Sequence, residues 1–214
     1  MQKSGVTIIF IIDTSGSMHD QKISSVNAAL TECMDVLRSY SSKKSNRIDV
    51  GFITFNETMN PIIWSNQMTA PSFSVTPNRD GFYPITSFKC LYEGLYNSLA
   101  GIRQSSEIYM ILITDGKATE KRIEYDEAFE KVNTLKQFRD AKRYAAIVGL
   151  DEDPRMAGNK ADSDILDFLS GNDAKKRFKL NRLSEEVSKM DFFIVDNEGS
   201  SFDKKKQIES IFGE

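Results

Sequence analysis

The sequence predicts an α/β domain with a doubly wound, mostly parallel sheet and helices on both faces. Three observations carry that prediction. Short β-branched runs alternate with amphipathic helical stretches along the chain, the most apolar runs are continuous, and two of them stop at an aspartate. Alternating strands and helices build βαβ units. Continuous apolar runs belong to strands covered on both faces. An acid at the carboxyl end of such a strand lies where ligands bind in open α/β sheets.

The elements follow in order. Residues 6–12 (VTIIFII) are the first strand. The run is far shorter than the ~20 apolar residues of a membrane span. It ends in Asp13 and not in a small-residue cleavage site, so we read it as a buried strand and not as a signal peptide. A polar loop covers residues 13–21. Ile23, Val26, Ala29, Leu30, Cys33, Met34 and Leu37 then recur at helical spacing. Residues 48–55 (IDVGFITF) are a second strand, and residues 59–64 (MNPIIW) a short third one. Pro61 puts that third strand at an edge, because proline cannot donate to a ladder. Residues 65–87 carry turn chemistry and little periodicity, so they form a long loop, and long loops in compact domains are often functional. Phe88, Leu91, Leu95 and Leu99 mark a helix, and residues 108–114 (IYMILIT) the most apolar strand, which ends at Asp115-Gly116. Ala128, Val132, Leu135 and Phe138 mark one further helix, and residues 144–150 (YAAIVGL) a strand that ends at Asp151. Ile165, Leu166 and Leu169 make a short helix stopped by Gly171-Asn172, and residues 177–180 a last strand. Val187, Met190, Phe193 and Ile194 form a final helix opened by Ser184, with Glu185 and Glu186 in its first turn. We place one domain at 1–200 and a short charged tail at 201–214.

Bulk properties bound the function. The 214 residues suffice for one domain with a full core. Charged residues make up 28% and apolar residues 40%, ordinary for a soluble globular protein. The net charge of -3 comes from mixed signs, which gives no basic field for nucleic acid. Cys33 and Cys90 both lie in helical segments. A secreted disulfide scaffold would be denser in cysteine, so we expect two reduced, packed thiols. With no long apolar segment, the expected location is the cytoplasm, with no membrane span.

The chemistry concentrates at Asp13-Thr14-Ser15-Gly16-Ser17, directly after the first strand. A hard divalent cation such as Mg²⁺ takes oxygen ligands in octahedral geometry and keeps some water. One carboxylate and two hydroxyls on a tight loop can present three oxygens to one point, and Gly16 lets the loop turn sharply. Neutral hydroxyl ligands leave the ion short of negative charge, so it demands an outside anion. A blander account has Asp13 capping the next helix and the serines forming turns. Asp115 weighs against it. Two carboxylates brought together at adjacent strand ends repel unless a cation lies between them.

IIFIIDTSGSM resembles the first strand and DxSxS motif of the von Willebrand factor type A (VWA) superfamily, and ILITDG its later strand and metal-associated aspartate. The resemblance covers essentially the whole chain. It implies a Rossmann-like sheet with one antiparallel edge strand and a metal-ion-dependent adhesion site. That site would hold Mg²⁺, with Mn²⁺ or Ca²⁺ as substitutes. Carried over by position, Ser15 and Ser17 touch the metal directly, while Asp13 and Asp115 act directly or through water. The family also uses a threonine from the loop before a helix, usually among glycines. This chain has Tyr83-Pro84-Ile85-Thr86-Ser87-Phe88-Lys89 there, without them. Aligning on Leu91-Tyr92-Glu93 would put Lys89 in the ligand position, where an ammonium beside a dication is electrostatically unreasonable. Thr86 is therefore the expected ligand, with Ser87 its alternative. His19 and Ser87 are candidates for partner contact.

The chain is also similar to bacterial VWA proteins of the tellurium-resistance and stress-response kind (TerY-like), through its IDTSGSM start, the strands ITF and AAIVGLDED, the DILDFLSGN segment and Phe192-Phe193. That resemblance implies a stress-signalling scaffold alongside a kinase and a phosphatase. The metal would grip an acidic residue of a protein partner. Alternatives are an extracellular adhesin and a subunit of a chelatase-like ATPase complex. An enzyme is disfavoured. Aspartyl-phosphate phosphatases carry a second acid two residues after the nucleophile, where this chain has Ser15, and there is no GxxxxGK[ST] phosphate loop. Residues 151–153 (DED) are either a second cation site or simply solvated. Trp64 and Phe73 are either partner anchors or core.

Overall fold

The computed structural model describes residues 5–44, 47–102, 107–116, 121–149 and 163–194. The 201–214 tail, its boundary at 200 and the acidic run 151–153 fall outside them. Six strands form one sheet: β1 (Val6–Asp13), β2 (Ile48–Phe55), β3 (Ile63–Ser65), β4 (Glu107–Thr114), β5 (Lys142–Ile147) and β6 (Arg177–Lys179). Their order is β3-β2-β1-β4-β5-β6. Every neighbouring pair is parallel except β2 with β3. The expected mostly parallel sheet with an antiparallel edge strand is therefore what this chain forms.

Seven helices are described: α1 (Gln21–Lys44), α2 (Phe88–Leu99), α3 (Arg122–Asn133), α4 (Lys136–Arg139), α5 (Ser163–Phe168), α6 (Leu183–Ser188) and α7 (Asp191–Ile194). They cover both faces of the sheet, which explains the unbroken apolar run of β1. Ile8, Phe10 and Ile12 point to one face and meet Val26, Leu30 and Leu37 of α1 with Leu183 and Val187 of α6. Ile9 and Ile11 point to the other and meet Leu91 and Leu95 of α2, Tyr125 and Val132 of α3, Phe138 of α4 and Phe168 of α5. Ile8 through Ile12 are all fully buried. Each such side chain contributes roughly 1.5–3 kcal/mol by leaving water, so β1 is fixed as the central strand by its own sequence.

Several boundaries differ from the sequence reading, each for a local reason. The third strand starts later than residue 59. Met59 makes only an isolated antiparallel bridge to Phe55, and paired structure resumes at Ile63 after Pro61. The helix expected across Ala128–Phe138 is two helices, because Leu135 is extended (φ -75°, ψ 125°). Near this break, Asn133 Nδ2 donates to Phe129 O and Thr134 Oγ1 to Lys131 O. Such side-chain bonds compete with the backbone ladder. The strand expected at 144–150 is Lys142–Ile147, and its last bond beyond the strand is Val148 N–H to Thr114 O. The final helix is likewise split into α6 and α7. Both cysteines are free thiols, Cys33 buried and Cys90 half-buried. Phe73 belongs to the core, while Trp64 is exposed on the edge strand.

Candidate functional site

The strand order creates the site. The chain leaves β1 towards β2 on one side, and β4 lies on the other side of β1. Such a reversal of direction opens a crevice at the carboxyl ends of the two central strands, where open α/β sheets bind ligands. The register pairs Ile12 with Ile113, so Asp13 falls level with Thr114 and the DTSGS loop faces Asp115. Ser15, Thr86, Ser87 and Asp115 are all buried here, and Asp13 and Thr114 fully so.

Asp13 is bonded on both oxygens. Oδ1 accepts from the Ser15 N–H at 2.8 Å. Oδ2 accepts from the Thr114 hydroxyl at 2.8 Å and the Thr86 hydroxyl at 3.4 Å. Burial pushes the Asp13 carboxyl above the usual carboxylate range; the Ser15 and Thr114 bonds pull it back and the Asp115 charge pushes it further up. An ionised Asp13 in this crevice is therefore a standing demand for positive charge.

The two serines converge: Ser15 Oγ and Ser17 Oγ are 3.2 Å apart. Gly16 between them is held by its N–H to Pro84 O at 2.8 Å. A Cβ at Gly16 would stand 2.5 Å from Tyr83 Cβ, so only glycine lets segment 83–86 lie against the serine loop. That contact carries Thr86 to Asp13. The neighbouring Thr14 hydroxyl donates to Phe55 O at 3.1 Å and accepts from Asn56 Nδ2 at 3.2 Å, which ties the loop to the end of β2.

Of the residues singled out in the sequence, Asp13, Ser15, Ser17, Thr86 and Asp115 line one crevice. Ser87 has a different task. Its Oγ accepts from the Cys90 N–H at 3.1 Å and caps α2. Lys89 is exposed on α2, away from the ligand position that one alignment suggested. His19 sits at the rim with its ring 5.2 Å from that of Tyr83.

Two residues of the site escaped the sequence reading. Thr114 anchors Asp13, and its signal was a lone hydroxyl ending an apolar strand. The other is Lys22, whose Nζ donates to Asp115 Oδ2 at 2.7 Å and to Ser17 O at 2.9 Å. Helical spacing marks Lys22 only as a neighbour of Ile23, and nothing local signals its reach across the crevice.

The donor set suits a hard divalent cation. Three hydroxyls and two carboxylates offer oxygen only, as Mg²⁺ requires. Among the described residues, no group of three or more His, Cys, Asp or Glu side chains could hold a metal. Direct contact with an ion would fall first to the serine hydroxyls, while Asp13, whose carboxylate oxygens keep lone pairs beyond the bonds they accept, would act directly or through water. The ammonium against Asp115 marks that side of the crevice as favourable to positive charge.

The von Willebrand factor type A domain family matches residues 7–205. The chain belongs to that family. Its fold is similar to those of several solved structures. One is an aerotolerance-related membrane protein from Bacteroides fragilis, at 14% identity and TM-score 0.55, covering 90% of this chain and 100% of that one. Another is BatB, a conserved hypothetical protein from Bacteroides thetaiotaomicron, at 17% identity and TM-score 0.55, covering 88% and 100%. A third is the pilus adhesin SpaC from Lactobacillus rhamnosus GG, at 10% identity and TM-score 0.59, covering 92% of this chain but 31% of the adhesin. At these identities the likeness is one of fold. No curated protein sequence matches the chain. VWA domains are protein-interaction modules, and no helix among the described residues is long and apolar enough to cross a membrane.

Proposed function

We propose that this VWA domain binds a protein partner through a divalent cation, preferably Mg²⁺, held at the head of β1 and β4. Ser15, Ser17 and Thr86 supply hydroxyl oxygens, and Asp13 and Asp115 supply charge directly or through water. The observation that carries this reading is the convergence of Ser15 Oγ and Ser17 Oγ, 3.2 Å apart, beside the buried Asp13 carboxyl. With few anionic ligands, such an ion keeps an affinity for an outside carboxylate, which suits capture of a partner's Asp or Glu better than catalysis. His19 at the rim is placed to touch that partner. The TerY-like resemblance extends the proposal to a cytoplasmic stress-signalling scaffold working with a kinase and a phosphatase. The fold likeness to a pilus adhesin supports a second reading, in which the same ion grips an extracellular ligand.

Calorimetric titration with Mg²⁺ and Mn²⁺ tests the site. Wild type should bind one ion, and Asp13→Ala should not; equal affinity in both would falsify the assignment. Partner capture should be lost in EDTA and in Ser15→Ala. A partner retained equally by wild type and Ser15→Ala would mean that the metal does not mediate recognition.

A further inference from the structure

Lys22 lies in the first turn of α1. The helix dipole disfavours a cation there, so the stability of α1 does not account for it. Its ammonium instead joins the two walls of the crevice, with Nζ 2.7 Å from Asp115 Oδ2 and 2.9 Å from Ser17 O. The Asp115 side chain is 2% exposed and that of Lys22 32%, so the pair is anchored on a buried carboxylate and open to solvent on the lysine side. The far wall leaves room for the stem. Gly149 has φ +74°, and a Cβ there would stand 3.2 Å from Lys22 Cε.

We infer that Lys22 is an internal competitor for the divalent cation. Its ammonium holds the Asp115 oxygen that the ion would use, so ion and ammonium exclude each other at that carboxylate and Lys22 sets the ion's affinity. The inference rests on the metal-binding reading above. Two cations at one carboxylate in a part-buried crevice repel strongly, because the effective dielectric is well below that of water. The conflict is resolved on the flexible side: the lysine stem swings outward on its four carbons while Asp115 stays in place. Ion binding is thereby coupled to release of the clamp between the start of α1 and the end of β4. An ion taken up from solution first has to displace a charge that the protein itself supplies. A purely structural clamp makes a different forecast, since removing it would loosen the crevice and weaken the ion.

Titration of Mn²⁺ alone into wild type, Lys22→Met, Lys22→Arg and Asp13→Ala separates these accounts. Met keeps the apolar stem and removes the charge. Lys22→Met should bind at least about tenfold more tightly, equivalent to about 1.4 kcal/mol. Lys22→Arg, which keeps the charge, should stay near wild type, and Asp13→Ala should not bind. Melting curves in EDTA confirm that each variant folds. Binding by Lys22→Met when wild type shows none also supports the competitor. Equal or weaker binding by Lys22→Met, with wild type binding, overturns the competitor and leaves the metal site standing. Binding by neither overturns both.

Discussion

Thr114→Val tests whether the Asp13 anchor is as important to the fold as its geometry implies. Valine replaces the hydroxyl by a methyl at nearly constant volume, so no cavity opens. Two bonds disappear: the 2.8 Å donation to Asp13 Oδ2 and the 3.1 Å acceptance from the Gly116 N–H. A hydrogen bond to a charged group contributes about 1.5–3 kcal/mol, and a buried N–H left without its acceptor costs about 1–3 kcal/mol. Part of this is recovered, because burial already favours a protonated Asp13. A net cost of roughly 2–4 kcal/mol remains. In a domain of this size each kcal/mol lowers Tm by about 2–4 °C, so a fall on the order of 10 °C is expected. The assay is calorimetric melting in EDTA, with Thr114→Ser as the control that keeps the hydroxyl. A Thr114→Val melt within about 1 °C of wild type, or at or above that of Thr114→Ser, refutes the reasoning.

Gly16→Ala should destabilise by roughly 1–3 kcal/mol through overpacking, since its Cβ would stand 2.5 Å from Tyr83 Cβ; a lowered urea midpoint with unchanged slope is the expected result, and a wild-type midpoint counts against the close approach. Glu185 is held down to about 2 by hydrogen bonds from Arg182 and Lys189, against an ordinary value of 4.5. A depressed acid contributes stability above its unfolded pKa and loses it as pH falls through the folded one. Glu185→Gln should therefore cost a little stability at neutral pH and flatten the loss between 4.5 and about 2; identical acid limbs in the two proteins would remove this pair from the account. The effect is small because the side chain is 37% exposed.

The sheet was legible because burial on both faces writes itself into composition. Residues 6–12 and 108–114 can only be central strands, and Pro61 marked the edge. What failed were boundaries set by side chains acting on their own backbone, as at Asn133 and Thr134, where the apolar spacing runs on but the helix does not. At the site, the motif residues were legible because Asp13, Ser15 and Ser17 alternate along one short loop. Asp115 was legible because a strand end is a place, and parallel strands bring such places together. Ser87 was harder, since a serine just before a helix serves equally as cap or ligand, and here the hydroxyl is turned to Cys90 N–H.

Lys22 was illegible for a different reason, and it changes the electrostatic argument. Two acids at neighbouring strand ends imply a cation between them, and that inference is sound as far as charge goes. It does not say where the cation comes from. Here Asp115 is met by a side chain of the protein itself, while the fully buried Asp13 is met by neutral donors and carries the raised carboxyl. The acids are thus not equivalent. Asp115 already has a tethered counter-charge, and Asp13 has none among the bonds described above. Uptake of an external ion would satisfy Asp13 and the serines while releasing Lys22, so the net charge gained by the crevice is less than that of the ion. Such a site binds its ion reversibly more readily than one whose acids were all uncompensated, and reversible uptake is what a metal-gated grip on a partner requires.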